Sequence, residues 1–437
     1  MKKTVLMLSC LVLSVFFLVG CGDEEPQVSA PTPEAPPANE TSTPALTDNE
    51  AFTGEFLIWI DDENLAEAFI PELEAKFPNV TFFWELMSHT ESLTALSLDG
   101  PAGLGADLIF FPHDHVHRAI TEQLVLPLGP ELSNMMDGRL HAAAVQTVYD
   151  EVSGFHFGIP IITETVALFY NRTLLEENGL QVPSTFEELL DQVEELNADS
   201  SVLGDFNLRL NVGDPYHQHF ALTGHGFQLF GPTHNDPDLA NFGTPEAIAG
   251  LDWLAYVRNR VFNVPSADIG DNFAAFVEGE VAYFITGPWH INNILTDGDF
   301  ELGIAKIPTI GGVQPVTFSG NRIVAGSGFT QNAALTRAVL EFVSSDAGFQ
   351  ILYDVRGDIP TLIDGSVITG LADNPLHMGI LAQANYSHPM PIIPEMAHFW
   401  SVSGGMYSAV WDGVLSPVEA AEHAQLGYDS ARALAEQ

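Results

Sequence analysis

Cysteine is almost missing from this chain of 437 residues: Cys10 and Cys21 are its two thiols, both within the first 21 positions. Any domain further along has no disulfide to hold it and must stand on its apolar core, for which roughly 390 residues are ample. Positive charge is scarce too, with 14 Lys and Arg against 58 Asp and Glu and a net charge of −44. A field of that sign repels phosphate backbones and anionic headgroups, which excludes nucleic acid as a partner. Gly-Xaa-Ser-Xaa-Gly, His-Glu-Xaa-Xaa-His, Walker and Gly-Xaa-Gly-Xaa-Xaa-Gly motifs are lacking in any supporting context, so the sequence selects no enzyme mechanism.

What is present begins with an N-terminal leader. Lys2 and Lys3 precede an apolar run from Val5 to Val19, and Leu18-Val19-Gly20-Cys21 follows as a lipoprotein cleavage signal. The run is too short and wrongly flanked for a spanning helix. Cutting before Cys21 leaves its thiol to carry a diacylglycerol, which holds a soluble domain at the outer face of the cytoplasmic membrane. Residues 22–50 are rich in Pro, Ser, Thr and acids, so they read as an extended, solvated tether. Loss of Lys2 and Lys3 leaves 12 basic side chains against 58 acidic ones, a mature charge of −46. So acidic a surface suits high salt, which screens repulsion to a few ångströms, or an alkaline exterior. On the saline reading, folded-state signals are lost at low salt; indifference of the circular dichroism spectrum to salt would refute it.

From Phe52 onward, apolar runs alternate with amphipathic stretches. Phe56–Ile60, Val80–Trp84 and Ala106–Phe111 read as strands, with a helix over Leu65–Phe77 between the first two. Further helices are expected at Phe186–Leu196, capped by Ser184 or Thr185, and at Ala247–Arg260, Leu335–Ser344 and Val418–Leu434. Further strands are expected at Ala282–Ile285 and Leu302–Ile307. Such alternation predicts an α/β fold of mainly parallel sheets flanked by helices, with ligands at the carboxyl ends of strands.

The order of segments is itself informative. Phe56-Leu57-Ile58-Trp59-Ile60 is followed by Ala106-Asp107-Leu108-Ile109-Phe110-Phe111-Pro112-His113-Asp114, then by Glu164-Thr165-Val166-Ala167-Leu168-Phe169-Tyr170-Asn171, Gly287-Pro288-Trp289 and Ile393-Pro394-Glu395-Met396 with Phe399-Trp400. Together these resemble the extracellular solute-binding proteins of sugar ABC importers, most closely the maltose/maltodextrin-binding proteins. The resemblance implies a two-lobe periplasmic-binding-protein fold (type II) with a cleft between lobes. The N-terminal lobe would hold residues 51–163 plus 320–370 and the C-terminal lobe 164–319 plus 371–437. Crossings are then expected near Ile162–Thr165, Thr317–Arg322 and Gly370.

It also implies a lipid-anchored, monomeric, extracellular or periplasmic receptor that carries a malto-oligosaccharide to ABC permease subunits without a cofactor. A pyranose has an apolar face and a hydroxyl rim, so its site needs aromatic rings and carboxylates together. In the family the tryptophans of the Gly-Pro-Trp segment and after Ile-Pro-Glu-Met stack on glucose, and these are Trp289 and Trp400 here. Glu164 matches a glutamate that accepts sugar hydroxyls at the hinge; Asp214-Pro215-Tyr216 resembles an acid-Pro-Tyr segment, with Asp214 accepting and Tyr216 stacking. Asp114 matches an aspartate of the site. Phe111 stands for a tryptophan before it, and His115 for an arginine after it, with loss of a bidentate donor. At the first strand end a lysine is missing, leaving Asp61 as the polar group, and Trp84 after the second strand is a further cleft-facing ring. Trp253 and Trp411 sit in helical patterns and are expected in the core.

Three rivals remain open from sequence. The same clamp suits a cyclodextrin or trehalose. His113, His115 and His117, with His217 and His219, lie among acids and offer zinc-type chemistry. Two carboxylates about 5–10 Å apart would suit a glycosidase, although nothing in the sequence selects the pair.

Overall fold

The computed structural model describes residues 49–198, 208–261, 269–279 and 281–435. The leader, Cys21 and all but the last two residues of the tether lie outside them.

The first strand, Gly54–Ile60, buries Phe56, Ile58, Trp59 and Ile60. It runs parallel to Val80–Leu86 in a register that pairs Ile58 with Trp84, and to Leu108–Pro112 on its other side. Helix Glu63–Lys76 links the first two strands; it starts where Asp62 accepts the Leu65 amide at 3.0 Å and buries Leu65, Ala66, Phe69 and Leu73 against the sheet. This is the βαβ unit expected from the sequence. Among the described residues this sheet has seven strands, in the order Ile359–Pro360, Ile159–Thr165, Thr317–Gly326, Leu108–Pro112, Gly54–Ile60, Val80–Leu86, with Ser387–Pro389 also paired to Thr317–Gly326.

A second sheet holds Leu302–Ala305, Ala167–Asn171, Tyr283–Thr286 and Leu208–Leu210. Along Ala167–Asn171 the side chains alternate between two cores, with Leu168 and Tyr170 in one and Ala167 and Phe169 in the other. That period of two is the pleat of a strand buried on both faces. Helix Phe186–Ala198 covers one face through Phe186, Leu189, Leu190, Val193 and Leu196. Its start is a capping box: Thr185 Oγ1 accepts the Glu188 amide at 3.1 Å and Glu188 Oε2 accepts the Ser184 amide at 2.8 Å. Trp253 packs edge-on to Phe186 at 4.8 Å and Trp411 is buried, both in helices as expected.

Strand direction departs from the mainly parallel expectation. Thr317–Gly326 runs antiparallel to both Leu108–Pro112 and Ile159–Thr165, and Ala167–Asn171 runs antiparallel to both its neighbours. The reason is connectivity: these strands carry the chain from one core to the other, so their direction is set by the side of entry and not by a helical crossover. Ile162 lies in the first core and Val166 in the second; Phe318 lies in the second and Ile323 in the first; Leu371 lies in the first and Leu376 in the third. Thr317–Gly326 is buried at all ten positions, as a strand enclosed by both bodies must be.

Candidate ligand site at the crossing strands

Where the crossing strands meet, aromatic rings and carboxylates form one continuous run. Trp289 follows strand Tyr283–Thr286 in a short turn that begins with Gly287 and Pro288. Its ring centroid is 6.2 Å from that of Tyr216, which stacks at 6.2 Å on Phe318 of the crossing strand. Phe318 in turn meets Trp400 edge-on at 5.8 Å. Trp400 lies on helix Met396–Trp411 and donates through Nε1 to Asp114 Oδ2 at 2.9 Å. The Tyr216 hydroxyl donates to the main-chain oxygen of Glu164 at 3.0 Å. Trp289, Trp400, Tyr216, Glu164 and Asp114 are thus brought together and left half-buried, with Asp114 Oδ1 lacking a hydrogen-bond partner among the described residues. Burial and the nearby Glu164 and Asp214 carboxylates push the Tyr216 phenol well above its ordinary range, so it remains a donor.

Behind this run lies a buried ion-pair lattice that sequence reasoning missed. Arg322, in the crossing strand, reaches Asp61 Oδ2 with Nη1 at 3.0 Å and Glu164 Oε2 with Nη2 at 3.5 Å. Arg356 donates to Asp61 Oδ1 at 2.9 Å and lies 2.9 Å from Asp358 Oδ2. His89 Nδ1 is 2.8 Å from Asp61. Burial opposes ionisation of Asp61, yet Arg322, His89 and Arg356 overcome it and hold the carboxyl far below the usual range. For Asp358 the balance goes the other way, burial pushing its pKa up against the pull of Arg356 and Arg322. The signal in the sequence was a lone arginine within Thr317-Phe318-Ser319-Gly320-Asn321-Arg322-Ile323-Val324, because a cation in a buried strand needs acids nearby.

Four of the expected site residues have other partners in the structure. Phe111 is fully buried in the first core; its strand is covered on both faces, so the ring offers no stacking surface. Trp84 is partly buried against the first core and lines a small cavity with Ile58, Ile60, Phe69 and Phe110, because its register with Ile58 sets it on the helix-covered face. Asp61 is committed to two arginines and a histidine. Asp214 caps helix Pro215–Thr223: Oδ1 accepts the Tyr216 amide at 2.8 Å and the His217 amide at 3.4 Å, while Oδ2 is 2.8 Å from His217 Nδ1. Burial raises its pKa, but His217 and the cap amides outweigh this and lower it. His115 sits at the edge of the run, its Nε2 4.0 Å from Asp114 Oδ2.

The histidines expected as zinc candidates are spread over separate tasks. His113 accepts the Asn321 amide at Nδ1 (2.9 Å), so Nε2 carries the proton and donates to Met390 O at 3.0 Å, tying the two bodies together. Among the described residues, no group of three or more His, Cys, Asp or Glu is placed to hold a metal ion. His219 stacks on Phe318 at 3.7 Å, meets His388 edge-on at 5.4 Å, and His388 stacks on His234 at 4.0 Å. Burial, with His388 and His234, pushes His219 well below the ordinary imidazole range, and burial with His234 brings His388 to about 4. Folded-state pKa values depressed in this way give stability that is present above about 6.5 and lost as pH falls toward 4. A His219→Phe/His388→Phe double variant should therefore gain melting temperature relative to the parent as pH falls from 7 to 4. Thermal unfolding across that range checks it, and a constant offset would contradict it.

Among the described residues no helix is long and apolar enough to cross a membrane. Two sheet-centred bodies, joined by three crossings and lined with rings and acids where they meet, define a two-lobed solute-binding protein of the type II periplasmic class. A solved cyclo/maltodextrin-binding protein complexed with maltotetraose has this fold, with a TM-score of 0.72 and 25% identity over 87% of this chain and 98% of that one. The family model described as Bacterial extracellular solute-binding protein matches residues 68–366, and the chain belongs to that family. Its relatives include the maltodextrin-binding protein MdxE of Bacillus subtilis (strain 168), 27% identical over 86% of this chain and 88% of that protein. The galactooligosaccharide-binding protein of the same organism is 26% identical over 85% and 87%. Both relatives are named as binding proteins.

Proposed function

We propose that this protein, lipid-anchored through Cys21, captures a malto-oligosaccharide outside the cytoplasmic membrane and delivers it to the permease of an ABC importer. The observation that carries the reading is the set of half-buried rings Trp289, Tyr216 and Trp400, bridged by the buried Phe318, beside Asp114 and Glu164. Flat rings suit the apolar face of a glucose unit, and carboxyl groups suit its hydroxyls. The relatives named for maltodextrin and the solved complex with maltotetraose agree with it.

The lobes in this reading are residues 51–163 plus 320–370 and 164–319 plus 371–437. Solute touches both only when they close, so its binding energy differs between open and closed states and shifts the population toward closure. The residues at the three crossings absorb the rotation. A galacto-oligosaccharide is the second reading, favoured by the similarity to the galactooligosaccharide-binding protein. Small-angle X-ray scattering separates them: maltotriose should reduce the radius of gyration and a galactan trimer should not. Compaction with the galactan alone would move the assignment, and no compaction with either would refute the clamp.

A further inference from the structure

His217 is the feature of this site that no role yet explains. It occupies the third position of helix Pro215–Thr223, directly after Tyr216. Its side chain is 3% exposed and its Nδ1 lies 2.8 Å from Asp214 Oδ2. Both ring nitrogens are buried without an aligned hydrogen-bond partner among the described residues; Nδ1 at least faces the Asp214 carboxylate, whereas Nε2 has no acid beside it. A buried polar atom left without a partner is costly and rare enough to demand an account.

Its surroundings supply one. The imidazole stands nearly perpendicular to the Trp289 indole, with centroids 5.6 Å apart at 80°, and edge-on to Tyr216 at 6.1 Å and 74°. A pyranose lying flat on Trp289 would present its hydroxyl rim to groups standing upright beside the indole. Next to it, His290 is already engaged, its Nδ1 2.9 Å from Thr286 Oγ1, and burial together with His217 depresses it to about 3. His290 is therefore neutral and occupied, and His217 is the imidazole with a nitrogen to spare. Asp214 is the acid that faces it, from the residue before the helix.

Resting on the carbohydrate reading above, we propose that His217 contacts the solute: the Asp214 carboxylate, 2.8 Å from Nδ1, orients the ring by facing its Nδ1–H, and Nε2 accepts a hydrogen bond from a ring hydroxyl of the bound sugar. Asp214 is then a positioning residue acting through His217, in place of the direct acceptor that the acid-Pro-Tyr pattern suggested. The arrangement also answers the shorter reach of Asp at this position, since an imidazole extends the chain of contacts from the carboxylate toward the ligand.

The test is calorimetric titration of the full protein with maltotriose in four variants. His217→Gln, whose carboxamide reaches the place of Nε2, should bind within about threefold of the parent. His217→Phe keeps the ring packing against Trp289 and loses the nitrogen, and should bind more than tenfold more weakly. His217→Asn keeps a partner for Asp214 but stops short of Nε2, and should show the same loss, which covers the case of a poorly folded Phe variant. If the ring serves packing alone, the order reverses: Phe binds like the parent and Gln fails, and the proposal is overturned. Asp214→Ala should weaken the parent but add less than twofold in the His217→Phe background; a full additive loss would return the acceptor role to Asp214. Silence of the parent itself with maltotriose refutes the carbohydrate reading, whereas a binding parent with unchanged variants refutes the part given to His217.

Discussion

Replacing Trp289 or Trp400 with alanine is expected to weaken maltotriose binding more than tenfold, over ~1.4 kcal/mol. Each indole is half-buried, so a stacked sugar ring would cover the remaining face and remove apolar area from water on both sides. The two positions differ in what holds them. Trp289 folds back over Gly287, where an added Cβ would lie 2.2 Å from the indole Cη2; the glycine allows the close approach, and Gly287→Ala should displace the ring and imitate the tryptophan loss. Trp400 is fixed through its Nε1 bond to Asp114, so Trp400→Phe should fall between parent and alanine, keeping a ring while freeing the acid. Calorimetry measures all four. Unchanged affinity in both alanine variants would remove the ligand from this site.

Arg322→Met is expected to cost about 3–5 kcal/mol of stability, the usual penalty for removing one partner of a buried ion pair. Arg322 is 4% exposed and its acids Asp61 and Glu164 are 12% and 15% exposed, so neither is rescued by water. Asp61 keeps Arg356 and His89, which leaves Glu164 as the group that suffers most. The double variant Arg322→Met/Glu164→Gln should then recover part of the loss, a coupling that a double-mutant cycle in urea denaturation measures. A loss below about 1 kcal/mol would mean that the lattice behaves like an exposed salt bridge. Against its burial, Arg322, with His89 and Arg356, holds the Asp61 carboxyl far below its ordinary range, so the stability it contributes is present above the free carboxylate range and is lost as pH falls below it.

Much of the fold was legible because its signals are local. Phe56–Ile60, Val80–Trp84 and Phe186–Leu196 carry uninterrupted apolar runs or a clear helical stripe, and all three form the expected elements. Direction within the sheets was less legible, because Thr317–Gly326 and Ile159–Thr165 pair over more than 150 positions and no local pattern encodes that choice. The site divides in the same way. Trp289 and Trp400 stand out as rings after a Gly-Pro turn and after the Ile-Pro-Glu-Met segment, and they lie at the ends of one aromatic run.

Phe111 and Trp84 pack against the first core for a physical reason: a ring at a strand end is read equally well as core or cleft until the register decides which face it takes. Asp61 looked like a rim acceptor because its cations, Arg322 and Arg356, lie 261 and 295 positions away. In a chain so poor in basic residues, placing two arginines beside one aspartate is itself a sign that the lattice matters to the fold.

The most direct test of the account is calorimetric titration of the protein with maltotriose at moderate salt. Heat saturating at one glycan per chain is expected, lost in Trp289→Ala and Trp400→Ala. Absence of heat with maltotriose, or binding that survives loss of both tryptophans, would contradict it.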